Sequence, residues 1–199
     1  MAKFFKSIWF KCITCLLIIL LFSGASIAIL SDVLYVSDEE RTKRSIVKIY
    51  GEEKEYSSLL DEKVECGDFG SIDKIFIVGN KESESFDYLF HAVGEHGFKD
   101  GSITYWIKVA SNKGTLSIGK LVIESNKSQS FIGNINDAWH SNLYVEVVGS
   151  KYLTPWSKVA EQNSNEFTLI PTTGATNSKN ASCNAVNSVI YYISQGGLA

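Results

Sequence analysis

The sequence predicts an α+β protein: a transmembrane helix, short helices, an antiparallel sheet of about five strands and a carboxy-terminal helix. Three observations lead to this prediction. Residues 12–30 carry no charged side chain. Apolar residues then recur at helical spacing as far as residue 60, and from Gly70 onward apolar and polar residues alternate with period two.

Composition sets the limits of the interpretation. The chain has 199 residues and a net charge of −3, which suits one domain with a real core and argues against nucleic acid as a partner. We divide it into a cytoplasmic amino terminus (1–11), a transmembrane anchor (12–30), an extracytoplasmic α+β domain (31–160), and a polar connector with a terminal helix (161–199).

The apolar segment runs through Cys12, Leu20 and Leu30 and has about the length that crosses a bilayer. The alternative is a signal peptide, for which residues 25–28 offer small residues at a cleavage site. We favour an uncleaved anchor because the apolar run exceeds the usual core of a signal peptide. Its basic flank, with lysines at positions 3, 6 and 11, predicts a cytoplasmic amino terminus and an exported domain, or one in the intermembrane space if the protein is mitochondrial.

Two helices are expected next. Ser37 and Glu40 form a capping box, so a helix should run from Asp38 to Tyr50 and end at Gly51. The spacing of apolar residues predicts a second helical segment over 52–60.

The period-two region predicts the sheet. Strands are expected over 71–78, 86–93, 103–109, 116–123 and 143–148, and short turns between neighbouring strands imply antiparallel pairing.

The segments outside these strands are more polar. We expect a loop or short helical turn over 134–140, a loop over 150–157 and a polar connector over 163–180. Apolar residues at helical spacing predict a helix over 182–194, which should pack on the sheet, although docking onto a partner is the alternative.

Two cysteines, Cys66 and Cys183, lie in the predicted soluble domain and are a possible disulfide if that domain meets an oxidising compartment. The alternative is two free thiols. Cys12 and Cys15 lie in the apolar segment, where a thiolate would be costly to form.

The sequence contains no catalytic motif. Its three histidines are His91, His96 and His140, and a spacing of five places the first two on opposite faces of a strand, which is poor for a shared metal. Zinc-protease, nucleophile-elbow and P-loop patterns are missing. We therefore expect no catalytic, cofactor-binding or metal-binding residues and a protein that is not an enzyme.

Large aromatic side chains are the remaining candidates for recognition. Trp106 and Trp139 are possible partner-surface residues, and with other aromatics they could line a groove. The alternative for both is packing in the core. A pocket with converging polar groups beside either tryptophan would favour ligand binding.

The stretch 90–101, FHAVGEHGFKDG, followed by SITYWIKVASNKGT and LSIGKLVIES, resembles the cytochrome oxidase complex assembly protein family. Val93, Gly94, Gly97 and Gly101 fall near the glycines of that pattern. The resemblance spans residues 37–125 and implies a single membrane anchor, a helix pair and a small antiparallel sheet that binds membrane-protein partners. The Leu-Gly-x-Pro turn of that family is not found at 60–64, and the segment from Ser150 onward has no counterpart.

Three functions follow as hypotheses, of which a component of a surface or secretion assembly, suggested by the Asn/Ser/Thr-rich tail with Cys183, ranks last. The first is a membrane-anchored scaffold or assembly factor that recognises a membrane-protein partner, with respiratory oxidase assembly implied by the resemblance. The second is an exported module that binds a small ligand or an envelope polymer. We rank a protein partner above a small molecule because the sequence shows no motif for a cofactor.

Overall fold

The computed structural model describes residues 8–34, 36–81, 85–126, 129, 132–144, 147 and 176–198. It has the predicted α+β architecture, with an apolar amino-terminal helix, short helices, an antiparallel sheet and a carboxy-terminal helix. The chain forms two compact units, Met1–Thr42 and Lys43–Ala199.

Helix α1 (Ile8–Leu34) makes up most of the first unit. Its segment Ile8–Ile27 is long and apolar enough to cross a membrane, and none of it is buried. Three hydroxyls on this helix donate to backbone carbonyl oxygens one turn earlier, so these polar side chains are paired within the helix itself. Cys12 and Leu20 lie within the segment, and Leu30 lies in α1 beyond it. A signal sequence would have the same properties, so the helix alone does not decide between the two interpretations.

Helix α2 (Asp38–Tyr50) has the bounds that the sequence predicts. The backbone N–H of Glu40 donates to Ser37 Oγ at 3.2 Å, as a capping box requires. Gly51 ends the helix with a φ of +80° and donates its N–H to the Val47 carbonyl. A left-handed residue at this position is the usual way to end a helix.

The described residues form the strands β1 (Tyr56–Leu60), β2 (Val64–Glu65), β3 (Gly70–Val78), β4 (Ser85–Gly94), β5 (Ile103–Asn112) and β6 (Thr115–Ser125). They make one antiparallel sheet in the order β1-β3-β4-β5-β6, with β2 also paired to β3. Consecutive strands from β3 to β6 form a meander.

Two predicted elements need correction. The helix expected over 52–60 is wrong, because strand β1 pairs with β3 there and the Tyr56 ring meets the Phe76 ring at 5.2 Å. A strand was also expected over 143–148, but Leu143 is instead the last residue of a 3₁₀ turn, Ser141–Leu143. Of the rest, Tyr144 and Val147 are described, neither in a strand, and the Val147 N–H donates to the Leu116 carbonyl on β6.

Before that turn, the structure agrees with the loop or short helical turn predicted over 134–140. A 3₁₀ turn, Ile132–Asn134, leads into the four-residue helix α3 (Asp137–His140). The Asn136 side chain caps α3 by accepting from the Trp139 N–H at 3.0 Å. The loop predicted over 150–157 lies outside the described residues.

Helix α4 (Thr176–Ser194) starts six residues before its predicted beginning. It packs on the sheet, as predicted, and most closely at Gly94 at the end of β4. A Cβ on Gly94 would lie 1.8 Å from the Ala181 carbonyl oxygen, so only glycine lets the two backbones meet. The part of the predicted connector before residue 176 lies outside the described residues.

The sheet has a core on each face. On the first face α4 and the segment 132–143 pack over Ile75, Phe90 and their neighbours. On the second face Ile46 and Ile49 of α2 pack against a smaller apolar group that includes Trp106.

Candidate functional site

The first face of the sheet holds a buried group of polar side chains beside the start of α4. We call it the α4 polar cluster, and its members are Tyr105, His140, Ser178, Lys179 and Ser182. All five are buried, and Lys179 is 0% exposed. Buried polar groups are costly unless they are paired, so their concentration in one place needs a reason.

A chain of hydrogen bonds joins four of the five members, all except Lys179. His140 Nε2 lies 3.1 Å from Tyr105 Oη, and Tyr105 Oη lies 2.8 Å from Ser182 Oγ. Ser182 donates its proton to the Ser178 carbonyl at 2.9 Å. Ser182 Oγ therefore accepts from the Tyr105 hydroxyl, and Tyr105 in turn accepts from a protonated His140 Nε2. This order assigns the Nε2–H tautomer to a neutral His140.

Burial keeps the titratable members of the cluster uncharged, apart from Lys179. It lowers the pKa of His140 to about 4, with Asp137 opposing the shift. Burial also raises the pKa of Tyr105 far above its ordinary value, while the bond to Ser182 lowers it slightly. At neutral pH this part of the cluster is a set of neutral donors and acceptors.

Lys179 brings a cationic side chain to the same place. Its Nζ lies 5.8 Å from the centre of the Trp139 ring, within the range of a cation–π contact. Burial lowers the pKa of Lys179, and the neighbouring Cys183 opposes this. Burial raises the pKa of Cys183 to about 12, so this thiol is a poor nucleophile.

Two contacts fix the start of α4 at this cluster. Ser178 Oγ donates to Gln129 Oε1 at 2.9 Å. Gln129 Oε1 also accepts from the Phe98 N–H, at 3.0 Å. Helix α3 lies on the other side, where Trp139 and His140 are buried while Asp137 and Ala138 face solvent. One short helix therefore separates the cluster from water at this point.

The second face of the sheet carries a different group, Asp73, His91, Trp106 and Glu124, which we call the His91 cluster. His91 Nε2 contacts Glu124, and its Nδ1 lies 3.5 Å from Asp73 Oδ2. The imidazole packs on Trp106 with 4.5 Å between ring centres. The side chains of Asp73 and Glu124 are 32% and 27% exposed, so this cluster, unlike the first, reaches solvent.

Among the described residues no three His, Cys, Asp or Glu side chains are placed to hold a metal ion. In the His91 cluster the two carboxylates meet different nitrogens of one ring, which point away from each other, so a single ion could not bind all three groups.

The residues predicted from the sequence take other positions than expected. Trp106 and Trp139 are each 2% exposed, so the prediction that they form a partner surface is wrong, and both pack in cores as the alternative had it.

Cys66 and Cys183 are free, buried thiols. Gly67, which is next to Cys66 in the sequence, faces the ring of Tyr191 on α4. Tyr191 is eight residues after Cys183, which corresponds to about 12 Å along the helix axis. A bridge needs Cα atoms closer than about 7 Å, so this placement gives the predicted disulfide no support.

Sequence reasoning missed both clusters. Tyr105 and Ser182 are 77 positions apart, and His91 and Glu124 are 33 apart, so no local motif joins them. The one available signal was the row of Ser, Lys and Asn residues at 176–184, which is unusually polar for a helix that packs on a sheet.

No family model, curated protein or solved structure matches the chain.

Proposed function

We propose that the protein is a membrane-anchored binding module whose α4 polar cluster binds a small ligand with an acidic group. The observation that carries the proposal is the convergence of Tyr105, His140, Lys179 and Ser182 beside Trp139. A small-molecule site commonly combines an apolar wall with a few polar groups that fix the ligand's orientation.

The charge of Lys179 suggests the class of ligand. A cation at a buried site attracts an anionic group more strongly than the same cation does in water, because the effective dielectric constant is lower. The protons of Tyr105, Ser182 and His140 are already used in the hydrogen-bond chain, so a ligand oxygen would accept from one of these groups in exchange for one of those bonds. Together these groups suit a carboxylate or phosphate better than a cation or a purely apolar molecule.

We propose binding without catalysis at this cluster. Ser182 donates to a backbone carbonyl, and Tyr105 stands between it and the only histidine of the cluster. A nucleophilic serine needs a base in direct contact with its hydroxyl. The buried thiol of Cys183 is equally unsuited because its pKa is raised.

The test is to isolate the full-length protein from membranes and identify bound small molecules by native mass spectrometry. Lys179→Met keeps most of the side-chain volume and removes the charge. We expect the wild type to retain an acidic compound and Lys179→Met to lose it, with a decrease in affinity of at least about tenfold. Lys54→Met, at an exposed lysine paired with Glu52, is the matched control and should retain the ligand.

Two results would contradict the ligand proposal. One is that Lys179→Met binds the same compound as tightly as the wild type does. The other is that the wild type carries no compound and that no carboxylate or phosphate compound raises its melting temperature, because a ligand that binds only the folded state must stabilise it.

A second candidate is a scaffold that recognises a membrane-protein partner, with oxidase assembly as the context that the sequence resemblance implies. The observation in its favour is α1, an unburied apolar helix that would hold the domain beside other membrane proteins. Recovery of a stoichiometric membrane-protein partner in mild detergent would support this role. Recovery of the protein alone, under conditions that preserve known membrane complexes, would argue against it.

A further inference from the structure

The loop that joins β4 to β5, residues 95–102, has a strained backbone. Three of its residues other than glycine, His96, Lys99 and Asp100, have φ angles of +62°, +54° and +54°. Among the described residues only one further non-glycine residue, Lys113, has a positive φ. The side chain of an L-residue disfavours this left-handed region, so each of the three raises the energy of the loop. Strain of this kind persists only where surrounding contacts hold it, and it is concentrated at functional and switch segments.

Side chains from outside the loop hold it in this conformation. Gln129 Oε1 accepts from the Phe98 N–H at 3.0 Å, and Asn184 Nδ2 on α4 donates to the Glu95 carbonyl at 2.9 Å. Gln129 Oε1 also accepts from Ser178 Oγ, at 2.9 Å. Both holding contacts therefore lead to α4, one directly and the other through Ser178. The conformation of the loop depends on where the first half of α4 lies.

The same part of α4 carries two members of the polar cluster. Ser178 and Ser182 are one helical turn apart, and Ser182 donates to the Ser178 carbonyl. Just after Ser178 the helix is fixed to the sheet, because a Cβ on Gly94 would lie 1.8 Å from the Ala181 carbonyl oxygen and 2.4 Å from the Ala185 nitrogen. The turn that contains Ser178 precedes this backbone contact, so it can pivot about Gly94 while the rest of α4 stays in place.

We propose that the loop 95–102 is a conformational switch that responds to ligand binding at the α4 polar cluster, with Gln129 as the positioning residue between them. The inference rests on the proposed ligand-binding function. Hydrogen-bonded neighbours in the cluster are only 2.8–3.1 Å apart, so a ligand oxygen that accepts from Ser182 needs the first turn of α4 to move outward. Ser178 moves with that turn, its bond to Gln129 breaks, and the loop loses one of the contacts that hold its strained conformation.

A change in the loop alters the charged surface that a partner meets. Glu95, His96, Lys99 and Asp100 are all exposed, and their positions depend on the strained backbone. A ligand shifts such an equilibrium when it favours one of two conformations, and an element with two conformations that both sites bias is the physical basis of coupling between sites. The ligand would in this way change how the domain recognises another protein.

The test is hydrogen–deuterium exchange of the full-length protein in detergent micelles, read by mass spectrometry on peptides from 95–102 and from α4. The probes are inorganic phosphate and acetate, each compared with sodium chloride at the same ionic strength. A probe that binds should raise the melting temperature and slow exchange over residues 183–190, because binding stabilises the folded state. The same probe should speed exchange of the loop amides at least about threefold, because the loop is released locally.

Variants of Gln129 test the connection itself. Gln129→Met keeps most of the side-chain volume and removes the acceptor, so the loop amides should exchange at least about tenfold faster than in the wild type without any probe. Gln129→Glu keeps an acceptor for Phe98 and Ser178 and should restore slow exchange. In Gln129→Met a bound probe should cause no further change in the loop, which a merely structural role of this residue does not predict. Gln195→Met, at an exposed glutamine just after α4, is the matched control and should exchange like the wild type.

Three results would overturn the switch. The first is a probe that raises the melting temperature while exchange of the loop is unchanged or slower, and this result would leave the ligand proposal standing. The second is slow exchange of the loop in Gln129→Met, and the third is an equal response of the loop to bound probe in this variant and the wild type. A wild type that neither probe stabilises overturns the switch together with its premise that an acidic group binds at the cluster. Circular dichroism checks each variant, and Ser178→Ala, which removes the same link from α4, replaces Gln129→Met if that variant does not fold.

Discussion

His140 couples the stability of the fold to pH. Burial lowers its pKa to about 4, whereas in an unfolded chain it would be near 6.5. Below pH 6.5 the unfolded chain therefore binds a proton that the folded protein does not. The free energy of unfolding should fall as the pH drops from 6.5 to 4, by at most about 1.4 kcal/mol per pH unit from this residue.

Denaturant titrations at several pH values measure this contribution. His140→Gln removes the titrating group, so its free energy of unfolding should change less between pH 7 and pH 4.5 than that of the wild type. Both proteins share every carboxylate, which makes the difference between the two slopes specific to His140. Equal slopes would mean that the imidazole is hydrated in the folded protein.

The backbone contact at Gly94 joins two elements, strand β4 and helix α4. In Gly94→Ala the new Cβ would lie within 2.4 Å of two α4 backbone atoms, the Ala181 carbonyl oxygen and the Ala185 nitrogen. Backbone atoms cannot rotate away, so α4 would have to shift and the α4 polar cluster with it. We expect a loss of about 3 kcal/mol or more in the free energy of unfolding, measured by chemical denaturation.

Gly119 on β6 offers the matched control. The atoms nearest to an added Cβ there belong to Lys108 and lie at 3.8–3.9 Å, which is ordinary contact. Gly119→Ala should be neutral or slightly stabilising because alanine costs less conformational entropy than glycine in a strand. If both variants unfolded at the same denaturant concentration, the close approach of α4 to β4 would be contradicted.

These elements also show how far the sequence predicts the fold. Helix α2 was predicted with its true bounds because its signals, Ser37 at one end and Gly51 at the other, are local. Strand β1 was mistaken for a helix because its pairing with β3, which follows it after β2, overrides the helical spacing of its own residues. The start of α4 was missed because its polar residues look like a connector until the sheet surrounds them.

At the scale of the whole molecule, the two clusters lie on opposite faces of one sheet. Strand β5 contributes to both, since Tyr105 points to the first face and its neighbour Trp106 to the second. Alternation along one predicted strand was visible in the sequence, but which polar residues would gather on each face depended on the pairing of distant strands. A change on β5 can therefore affect both clusters.

Helix α1 decides whether either proposed function operates at a membrane. If α1 is an anchor, the protein should stay in the membrane fraction after alkaline carbonate extraction, and its amino terminus should retain residues 1–28. The physical reason is the length and apolar character of Ile8–Ile27, which make a helix in the bilayer more favourable than one in water. Mass spectrometry of the extracted, undigested protein measures this directly.

A mature chain that begins near Ile29 would identify the segment as a cleaved signal peptide. The small-ligand proposal would survive that result in an exported soluble protein, whereas the scaffold proposal depends on the anchor and would lose its support.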